Sequence, residues 1–230
     1  MAKIVVLTGA GISAESCIST FRDAGGLWEG HNVEDVASPE GWRRNPALVL
    51  DFYNQRRRQL KTVEPNAAHH ALKKLEAYHQ VTIVTQNVDN LHERAGSSHI
   101  IHLHGELNKV RSTGDENLIY EWSEDLQLGD TCEKGFQLRP HIVWFGEMVP
   151  MLEKAIVQCI HADIILIVGT SMQVYPAAGL VAYADPAAKI YYVDPRPTVS
   201  YELSKAKNLT IIAENASTGV PALVEELSRM

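Results

Sequence analysis

The residues best suited to bind a phosphate form a glycine-rich loop near the start of the chain. Gly9, Gly11 and Ala14 stand in a G-x-G-x-x-A pattern directly after the apolar segment Ile4–Thr8. In a strand-to-helix turn, the first glycine permits the tight turn, the second lets backbone N–H groups approach a pyrophosphate, and the small third residue allows close helix packing. The positive end of the following helix would face the anion. The loop predicts a dinucleotide site; the alternative is a tight turn without a ligand.

The ordinary layout of a hydride-transferring enzyme is missing from the residues that follow. Such an enzyme places an acidic residue at the end of a second strand, about 20 residues after the loop. Glu34 and Asp35 fall near that distance, but His31-Asn32-Val33 does not predict a strand. Arg22 is suited to contact phosphate or ribose, and Phe21 to shield a reactive carbon from water. The alternative places Phe21 and Trp28 in the core and Arg22 in solvent.

Amides and a carboxylate follow the predicted strand Val81–Thr85. Gln86, Asn87 and Asp89 would lie beyond the carboxyl end of a parallel strand, where α/β proteins bind ligands. These groups can recognise a carboxamide, which is both a donor and an acceptor. Asn87 and Asp89 are also good helix caps, a role that is compatible with ligand contact.

A histidine at the end of the next predicted strand is the candidate general base. His104 follows Ile100–Leu103 and precedes a glycine, and the ordinary pKa of histidine lies near neutrality. The alternative is a partly buried histidine with satisfied hydrogen bonds. His102 and His104 could also form a metal pair, but no acidic or cysteine ligand stands at a suitable spacing, so no metal is predicted there.

The elements that must position these residues alternate between strand and helix. Predicted strands cover Ile4–Thr8, Val81–Thr85, Ile100–Leu103, Ile142–Phe145, Ile164–Val168, Ile190–Val193 and Leu209–Ile212, and predicted helices cover Pro46–Leu60, Ala67–Tyr78, Leu152–Ile160, Pro176–Ala184 and Val220–Ser228. Continuous apolar strands belong in a sheet covered on both faces. The pattern predicts a Rossmann-like, doubly wound parallel α/β sheet formed by residues 1–24, 79–105 and 141–230. Residues 25–78 and 106–140 interrupt it and predict a smaller domain, the first insertion helical and the second polar.

Composition excludes several classes of protein. The net charge of −7 argues against neutralising nucleic-acid or lipid phosphates, and 45% apolar residues argue against a disordered chain. No apolar run reaches the roughly 20 residues that a membrane helix needs. Three sparse cysteines do not make a disulfide framework, which favours a cytoplasmic protein. The composition leaves the oligomeric state undetermined.

Five motifs in the chain resemble those of sirtuins, the NAD-dependent protein-lysine deacylases. They are Gly9–Arg22, Thr85–Asp89, His104-Gly105, Val143–Glu147, and Gly169–Ser171 with Pro176-Ala177-Ala178, and they occur in the sirtuin order. The resemblance covers nearly the whole chain and is closest to the bacterial CobB-type group. It implies that acylated-lysine proteins or peptides are the partners and that NAD is consumed, giving free lysine, nicotinamide and O-acyl-ADP-ribose.

The resemblance also implies a role for each matching residue. NAD binding falls on Gly9, Ala10, Gly11, Ser13, Ala14, Glu15, Thr20, Phe21, Arg22, Trp28, Gln86, Asn87, Val88, Asp89, Gly169, Thr170, Ser171, Asp194 and Ala216. Asn87 and Asp89 would sit in the nicotinamide pocket, with His104 and Asn87 as the catalytic residues. The segment with Val143, Phe145, Gly146 and Glu147 would pair with the substrate peptide through main-chain hydrogen bonds.

A phenol and a guanidinium three residues apart predict the acyl group. Tyr53 and Arg56 share one face of the predicted helix Pro46–Leu60 and together can bind a carboxylate. The same Tyr-x-x-Arg pattern marks the sirtuins that remove succinyl and malonyl groups, and bacterial members with it commonly accept acetyl-lysine as well. The alternative makes Arg56-Arg57-Arg58 a solvated basic face.

Three features depart from the family pattern. Most sirtuins bind a structural zinc through two Cys-x-x-Cys pairs in the second insertion, whereas residues 106–140 contain only Cys132, so no structural zinc is predicted. Packing of Tyr120, Trp122 and Phe136 is one way to order that insertion. Cys17-Ile18-Ser19 replaces the usual Gly-Ile-Pro, and Tyr191-Tyr192-Val193 lacks the usual Asn, which leaves Asp194 to accept the ribose hydroxyls.

Two other functions would use the same cleft. One is protein ADP-ribosyl transfer, which would retain NAD cleavage without deacylation. The other is a non-catalytic NAD or ADP-ribose sensor, which the missing zinc cysteines would favour. The presence of His104, Asn87 and Asp89 argues against the sensor.

Overall fold

The computed structural model describes residues 1–18, 27–28 and 30–230 of the chain. The strands are β1 Lys3–Thr8, β2 Leu27–Trp28, β3 His31–Asn32, β4 Gln80–Thr85, β5 Ile100–His102, β6 Gly105–Ser112, β7 Ile119–Glu121, β8 Leu138–Ile142, β9 Ile164–Val168, β10 Lys189–Val193 and β11 Leu209–Ile212. The helices are α1 Ala10–Ser13, α2 Val33–Val36, α3 Pro39–Arg44, α4 Pro46–Leu60, α5 Ala67–Leu75, α6 Leu91–Arg94, α7 Leu152–Ile160, α8 Tyr201–Ser204 and α9 Ala216–Leu227, with 3-10 turns at Ala14–Ser16 and Ala177–Tyr183. None of the helices in these described ranges is both long and apolar enough to cross a bilayer.

Six parallel strands form the main sheet in the order β11-β10-β9-β1-β4-β5. The chain runs outward from β1 to one edge through β4 and β5, then returns to β9 and continues to the other edge. The strand order therefore reverses between β1 and β9, which makes this the place where a doubly wound sheet binds ligands. The predicted Rossmann-like fold class is confirmed.

Helices cover both faces of this sheet, which explains why its strands are continuously apolar. All five residues of β9 are buried, as are five of the six residues of β1. One face packs on α5 and α9, and the other packs on α7 and the 3-10 turn Ala177–Tyr183. Both faces of each central strand are thus removed from water, and burial of this kind is the main favourable term in folding.

Helix α4 matches the predicted bounds, and its start follows from its sequence. The Asn45 side chain accepts a hydrogen bond from the Leu48 N–H at 3.1 Å, and Pro46 occupies the first helical position. The three arginines that follow Gln55 point in different directions. Arg56 is half-buried, Arg57 is buried with its Nε donating to the Leu107 carbonyl at 3.1 Å, and Arg58 is exposed. The alternative of one solvated basic face is therefore wrong.

A smaller antiparallel sheet lies beside α4, with strand order β7-β6-β8. Its core is formed by Leu50 of α4 together with Val110, Leu126, Cys132 and Leu138, all buried. Tyr120 and Trp122 are partly buried against this core, whereas Phe136 is 45% exposed and packs its ring over Gly114. The second insertion is thus ordered mainly by aliphatic packing, with the predicted aromatic residues at its edge.

Several predicted boundaries differ from the structure, and three of them change the description of the insertions and the cleft. Residues 27–32 contain the two-residue strands β2 and β3, because Leu27–Trp28 pairs with His31–Asn32. Helix α5 packs on the main sheet and on α9 through its apolar face, so the helical insertion ends before α5 and not at residue 78. The predicted strand Ile142–Phe145 is wrong because β8 ends at Ile142, and residues 143–145 leave the sheet to line a cleft.

Candidate active site

A cleft of about 500 Å³ lies at the carboxyl ends of the central strands, between the main sheet and the smaller sheet. It contains every predicted site residue within the described ranges except Ser13: Gly9, Ala10, Gly11, Ala14, Glu15, Trp28, Tyr53, Arg56, Gln86, Asn87, Val88, Asp89, His104, Val143, Phe145, Gly146, Glu147, Gly169, Thr170, Ser171, Asp194 and Ala216. The predicted contacts Thr20, Phe21 and Arg22 lie outside the described residues. One cavity thus receives residues from both insertions and from the loops that follow β1, β4, β5, β9 and β10.

Two glycine-containing loops pack directly against each other where the strand order reverses. The Gly11 N–H donates to the Gly169 carbonyl at 2.7 Å, and the Gly9 N–H donates to the Val168 carbonyl at 3.2 Å. A Cβ added to Gly11 would lie 2.6 Å from the Gly169 Cα, so no other residue fits there. This cradle fits a closely approaching nucleotide.

The glycine loop differs in one respect from the prediction. The N–H groups of Gly9 and Gly11 bind the chain itself, so these two glycines serve mainly to bring the loops together. The helix that follows is α1, which has only four residues and then tightens into a 3-10 turn. Its dipole is correspondingly small, because the dipole of a helix is the sum over aligned peptide units.

Polar side chains line the end of the cleft beside the two glycine-containing loops. Gln86 Nε2 donates to Thr170 Oγ1 at 3.0 Å, which ties the end of β4 to the end of β9. Asp194 is buried, and its Oδ1 accepts the Arg196 N–H at 2.8 Å. Glu15 accepts hydrogen bonds from the Ser217 N–H at 2.9 Å and from Ser217 Oγ at 2.5 Å. Glu15 therefore fastens the start of α9 to the glycine loop.

Ser13 holds the two residues predicted for the nicotinamide pocket. Its buried Oγ accepts from Asn87 Nδ2 at 3.1 Å and donates to Asp89 Oδ2 at 3.0 Å. Burial raises the pKa of Asp89 above its usual value, and hydrogen bonds from the Leu91 N–H and Ser13 offset part of that rise. Ser13 lies behind the cleft wall, so its role is to orient Asn87 and Asp89.

We expect Ser13→Ala to lower the free energy of unfolding by about 1–3 kcal/mol, because Asn87 and Asp89 each lose a buried partner. Urea denaturation followed by circular dichroism measures this loss. The matched control is Ser204→Ala, since Ser204 is exposed and its Oγ bonds only to the nearby Tyr201 carbonyl. Equal stabilities for the two variants would contradict the orienting role.

His104 presents a basic nitrogen to the cleft. Its Nδ1 lies 3.0 Å from the Gln86 carbonyl oxygen, which can only accept, so Nδ1 carries the hydrogen and Nε2 carries the lone pair of the neutral ring. Burial lowers the pKa of His104 below its usual value, and the bond to Gln86 offsets part of that effect. The neutral ring is therefore the form present at pH 7, as a general base requires.

Tyr53 and Arg56 lie at the other end of the cleft, as the sequence predicts. Tyr53 is fully buried, and its hydroxyl accepts from Trp144 Nε1 at 3.0 Å. Burial raises the pKa of Tyr53 well above its usual value, so the phenol keeps its proton and can donate it in a hydrogen bond. The Arg56 guanidinium lies 4.5 Å from the centre of the Phe52 ring, and Trp28 packs edge-on against the same ring.

Glu147 organises the predicted peptide-binding segment. Its carboxylate binds Arg139 Nη1 at 2.7 Å and Arg111 Nη2 at 3.1 Å, and it also accepts the Trp144 N–H at 2.8 Å. Although burial raises the pKa of Glu147, Arg139 and its neighbours bring that pKa below the usual value. The carboxylate is thus engaged by the chain itself, and the exposed faces of the segment are those of Phe145 and Gly146.

The residues that sequence reasoning missed act through distant partners. The Arg139 guanidinium carbon lies 3.3 Å from the centre of the Trp144 ring, and Arg139 also forms an ion pair with Glu147. No pattern in the sequence around Arg139 indicates either contact. Trp144 was visible only as part of the matching motif around it. The Ala37 carbonyl accepts the Phe145 N–H at 3.0 Å, and this backbone contact has no residue-type signal at all.

The fold and the cleft are those of a nucleotide-binding α/β protein, with His104 in the wall of the cleft. The sequence profile of the Sir2 family matches residues 9–176. An NAD-dependent protein deacylase of Helicobacter pylori strain J99 is 56% identical over 230 residues, covering 100% of this chain and 97% of that protein. The chain belongs to the Sir2 family.

Two solved structures extend this similarity. A Sir2 homologue in complex with NAD has a TM-score of 0.88 at 37% identity, covering 99% of this chain and 90% of that one. Sir2Af2 bound to a myristoylated histone peptide has a TM-score of 0.72 at 34% identity, covering 98% and 91%.

Proposed function

We propose that this protein removes acyl groups from lysine side chains of proteins, with NAD as the co-substrate. The observation that carries the proposal is the convergence of three parts in one cleft. The interlocked loops of Gly11 and Gly169 form its nucleotide end, His104 lies in its wall, and the Val143–Glu147 segment lines its opening. The similar proteins named for NAD-dependent deacylation support the same reaction.

The residues divide the chemistry between them. NAD supplies a ribose carbon that the acyl oxygen can attack as nicotinamide leaves, and a ribose hydroxyl that receives the acyl group. Asn87 and Asp89 orient the carboxamide, since amide and carboxylate groups can match its donor and acceptor. His104 Nε2 removes the proton from the ribose hydroxyl, and the Gln86 carbonyl stabilises the imidazolium that results, through Nδ1–H. One water molecule is consumed, and the products are free lysine, nicotinamide and O-acyl-ADP-ribose.

The segment of residues 143–146 is suited to bind a peptide backbone. It leaves the smaller sheet, and its Val143 and Phe145 N–H groups are already bound to the carbonyls of His104 and Ala37. These bonds fix the segment before a peptide arrives, which reduces the ordering cost of binding. Main-chain recognition of this kind accepts many sequences, so acyl-lysine proteins as a class are the proposed substrates.

The acyl groups we propose are succinyl and malonyl, with acetyl also accepted. Tyr53 and Arg56 both line the cleft. The protonated phenol of Tyr53 can donate a hydrogen bond to a carboxylate, and the guanidinium of Arg56 can form a charge-assisted bond with it. A charge-assisted hydrogen bond contributes roughly 1.5–3 kcal/mol, which favours an acidic acyl chain over acetyl.

A panel of acyl-lysine peptides incubated with NAD tests the function. Mass spectrometry should detect deacylated peptide and the matching O-acyl-ADP-ribose for succinyl-, malonyl- and acetyl-lysine. Cleavage of NAD without deacylation would overturn the proposal in favour of ADP-ribosyl transfer. NAD binding without cleavage would overturn it in favour of a sensor.

The second insertion does not fit a structural zinc ion. Within residues 106–140 the thiol of Cys132 is alone, and its Sγ lies 3.3 Å from Ser112 Oγ; four thiolates are needed for the closed tetrahedral site of this family. Asp115 and Lys134 join the two neighbouring turns through an ion pair at 2.7 Å.

We therefore expect chelator treatment to leave the melting temperature of the protein unchanged. Elemental analysis should find zinc well below one equivalent per chain, because the aliphatic core and the hydrogen bonds already order the insertion. One equivalent of zinc that survives dialysis would contradict this expectation.

A further inference from the structure

Two histidines extend the pairing of β4 and β5 beyond the ends of these strands. His104 Nδ1 bonds to the Gln86 carbonyl at 3.0 Å, and His102 Nδ1 lies 3.2 Å from the next carbonyl, that of Asn87. The backbone ladder of the two strands ends at Thr85 and His102. The two histidine side chains therefore help to hold the turn that carries Asn87 and Asp89, together with the Leu107 N–H, which donates to the Val88 carbonyl at 2.8 Å.

Both ring nitrogens of His102 face groups that only accept hydrogen bonds. Nδ1 faces the Asn87 carbonyl, and Nε2 lies 2.7 Å from Glu93 Oε1. A neutral imidazole has one N–H, whereas the protonated ring has two, so the protonated ring can donate to both neighbours. His104 differs, because only its Nδ1 is bonded in this way and its other nitrogen stays basic.

The surroundings of His102 favour its positive charge on balance. Burial alone would lower the pKa of His102, but the hydrogen bond and charge of Glu93 raise it above the usual value, and Glu106 adds to the rise. The charge of His102 in turn lowers the pKa of His92, which burial already lowers, and the pKa of Asp89. His102 therefore keeps its proton to a higher pH than His104, two residues away.

We propose that His102, held as an imidazolium by Glu93, is a positioning residue that fixes the nicotinamide-facing turn through the Asn87 carbonyl. This inference rests on the proposed function for its link to catalysis. His102 acts through Asn87 and Asp89 and does not itself contact the substrate. The part of NAD that depends on this turn is the nicotinamide, whereas ADP-ribose lacks it.

A metal ion is the competing use of this cluster. Within the described residues, Glu93, His102 and Glu106 offer ligand atoms that lie within 4.8 Å of one another. The fold thus supplies the acidic neighbours that sequence spacing did not show. Glu106 is already paired with Lys109 at 2.8 Å, however, and a metal would require His102 to give up its proton.

Calorimetry with NAD and with ADP-ribose tests the positioning role without requiring turnover. His102→Ala should weaken NAD binding by about 10-fold or more, the loss expected for a charge-assisted hydrogen bond, while ADP-ribose affinity stays within about 3-fold. His102→Asn keeps a donor near the Nδ1 position and should restore much of the NAD affinity. The control is His99→Ala, since His99 is exposed just before β5.

The pH dependence of NAD binding supplies the second readout. The binding-competent form of His102 is protonated, so its contribution is present below the raised pKa and is lost as the pH rises through that value. Glu93→Gln removes the partner that raises this pKa, so the loss of NAD affinity at high pH (the alkaline limb) should move to lower pH. His102→Asn should remove this alkaline limb. These binding experiments also separate the positioning role of His102 from the proposed function. If the variants change NAD binding as expected but the protein deacylates no peptide, only the proposed function is overturned.

Three results would overturn the positioning role. One is that His102→Ala and His102→Asn weaken the binding of NAD and the binding of ADP-ribose by the same factor. Another is an alkaline limb that Glu93→Gln does not move. The third is stoichiometric Zn²⁺ binding that is lost in His102→Ala, which would assign the cluster to a metal.

Discussion

His104→Ala is expected to reduce the rate of deacylation by about 10²–10⁴-fold, the usual contribution of a general base. The variant loses the nitrogen that removes the ribose proton, but it keeps the interlocked loops of Gly11 and Gly169 that form the nucleotide end of the cleft. NAD affinity measured by calorimetry should therefore change little. Single-turnover kinetics with an acetyl-lysine peptide, followed by mass spectrometry, separate the chemical step from binding.

The pH dependence of the parent protein tests the same assignment. Burial lowers the pKa of His104, so its neutral form persists below the ordinary histidine value of about 6.5. The acid limb of the deacylation rate should accordingly fall below pH 6.5 and should disappear in His104→Ala. The control is His161→Ala, because His161 is exposed after α7. A His104→Ala variant as active as the parent would remove the catalytic assignment.

Arg56→Met combined with Tyr53→Phe is expected to reduce kcat/KM for succinyl-lysine by about 10–100-fold, which corresponds to losing roughly 1.5–3 kcal/mol of charge-assisted bonding. Deacetylation should fall far less, since an acetyl group has no carboxylate to lose. The Tyr53 hydroxyl also accepts from Trp144, so Arg56→Met alone is the cleaner variant for separating acyl recognition from packing. Competing succinyl and acetyl peptides in one reaction measure the ratio directly.

The matched control for this prediction lies on the same helix. Arg58 is exposed and pairs with Asp125 at 3.2 Å, so Arg58→Met removes the same charge without changing the cleft. It should leave the ratio of desuccinylation to deacetylation unchanged. Equal losses for both acyl groups in Arg56→Met would show that Arg56 does not recognise the carboxylate.

The sequence predicted the main sheet well because its signal is local. Ile164–Val168 is apolar at every position, and both of its bounds were predicted correctly, as were those of helix Pro46–Leu60 with its Asn-Pro start. The strands of the smaller sheet were missed, since β6 mixes polar and apolar residues without a continuous apolar run and β7 has only three residues. Val143–Phe145 looked like a strand because apolar residues that line a cleft resemble apolar residues that line a core.

In the candidate site, too, local sequence signals predicted some features, and contacts between distant residues determined the others. Residue types at strand ends identified Asn87, Asp89 and His104 as candidates because parallel strands share one functional edge. The use of Glu147 as an anchor for Arg139, and of Ser13 as the bridge between Asn87 and Asp89, depends on contacts between residues 8 to 76 positions apart. No local pattern predicts such contacts, because they follow from the packing of whole elements.

Helix α4 connects the smaller sheet to the end of the cleft that contains Tyr53 and Arg56. Asn54 exchanges two hydrogen bonds with the backbone of Leu126, both at 2.9 Å, so the smaller sheet is fastened to the helix one residue from Tyr53. A tilt of that sheet over a bound nucleotide would carry the phenol and guanidinium with it.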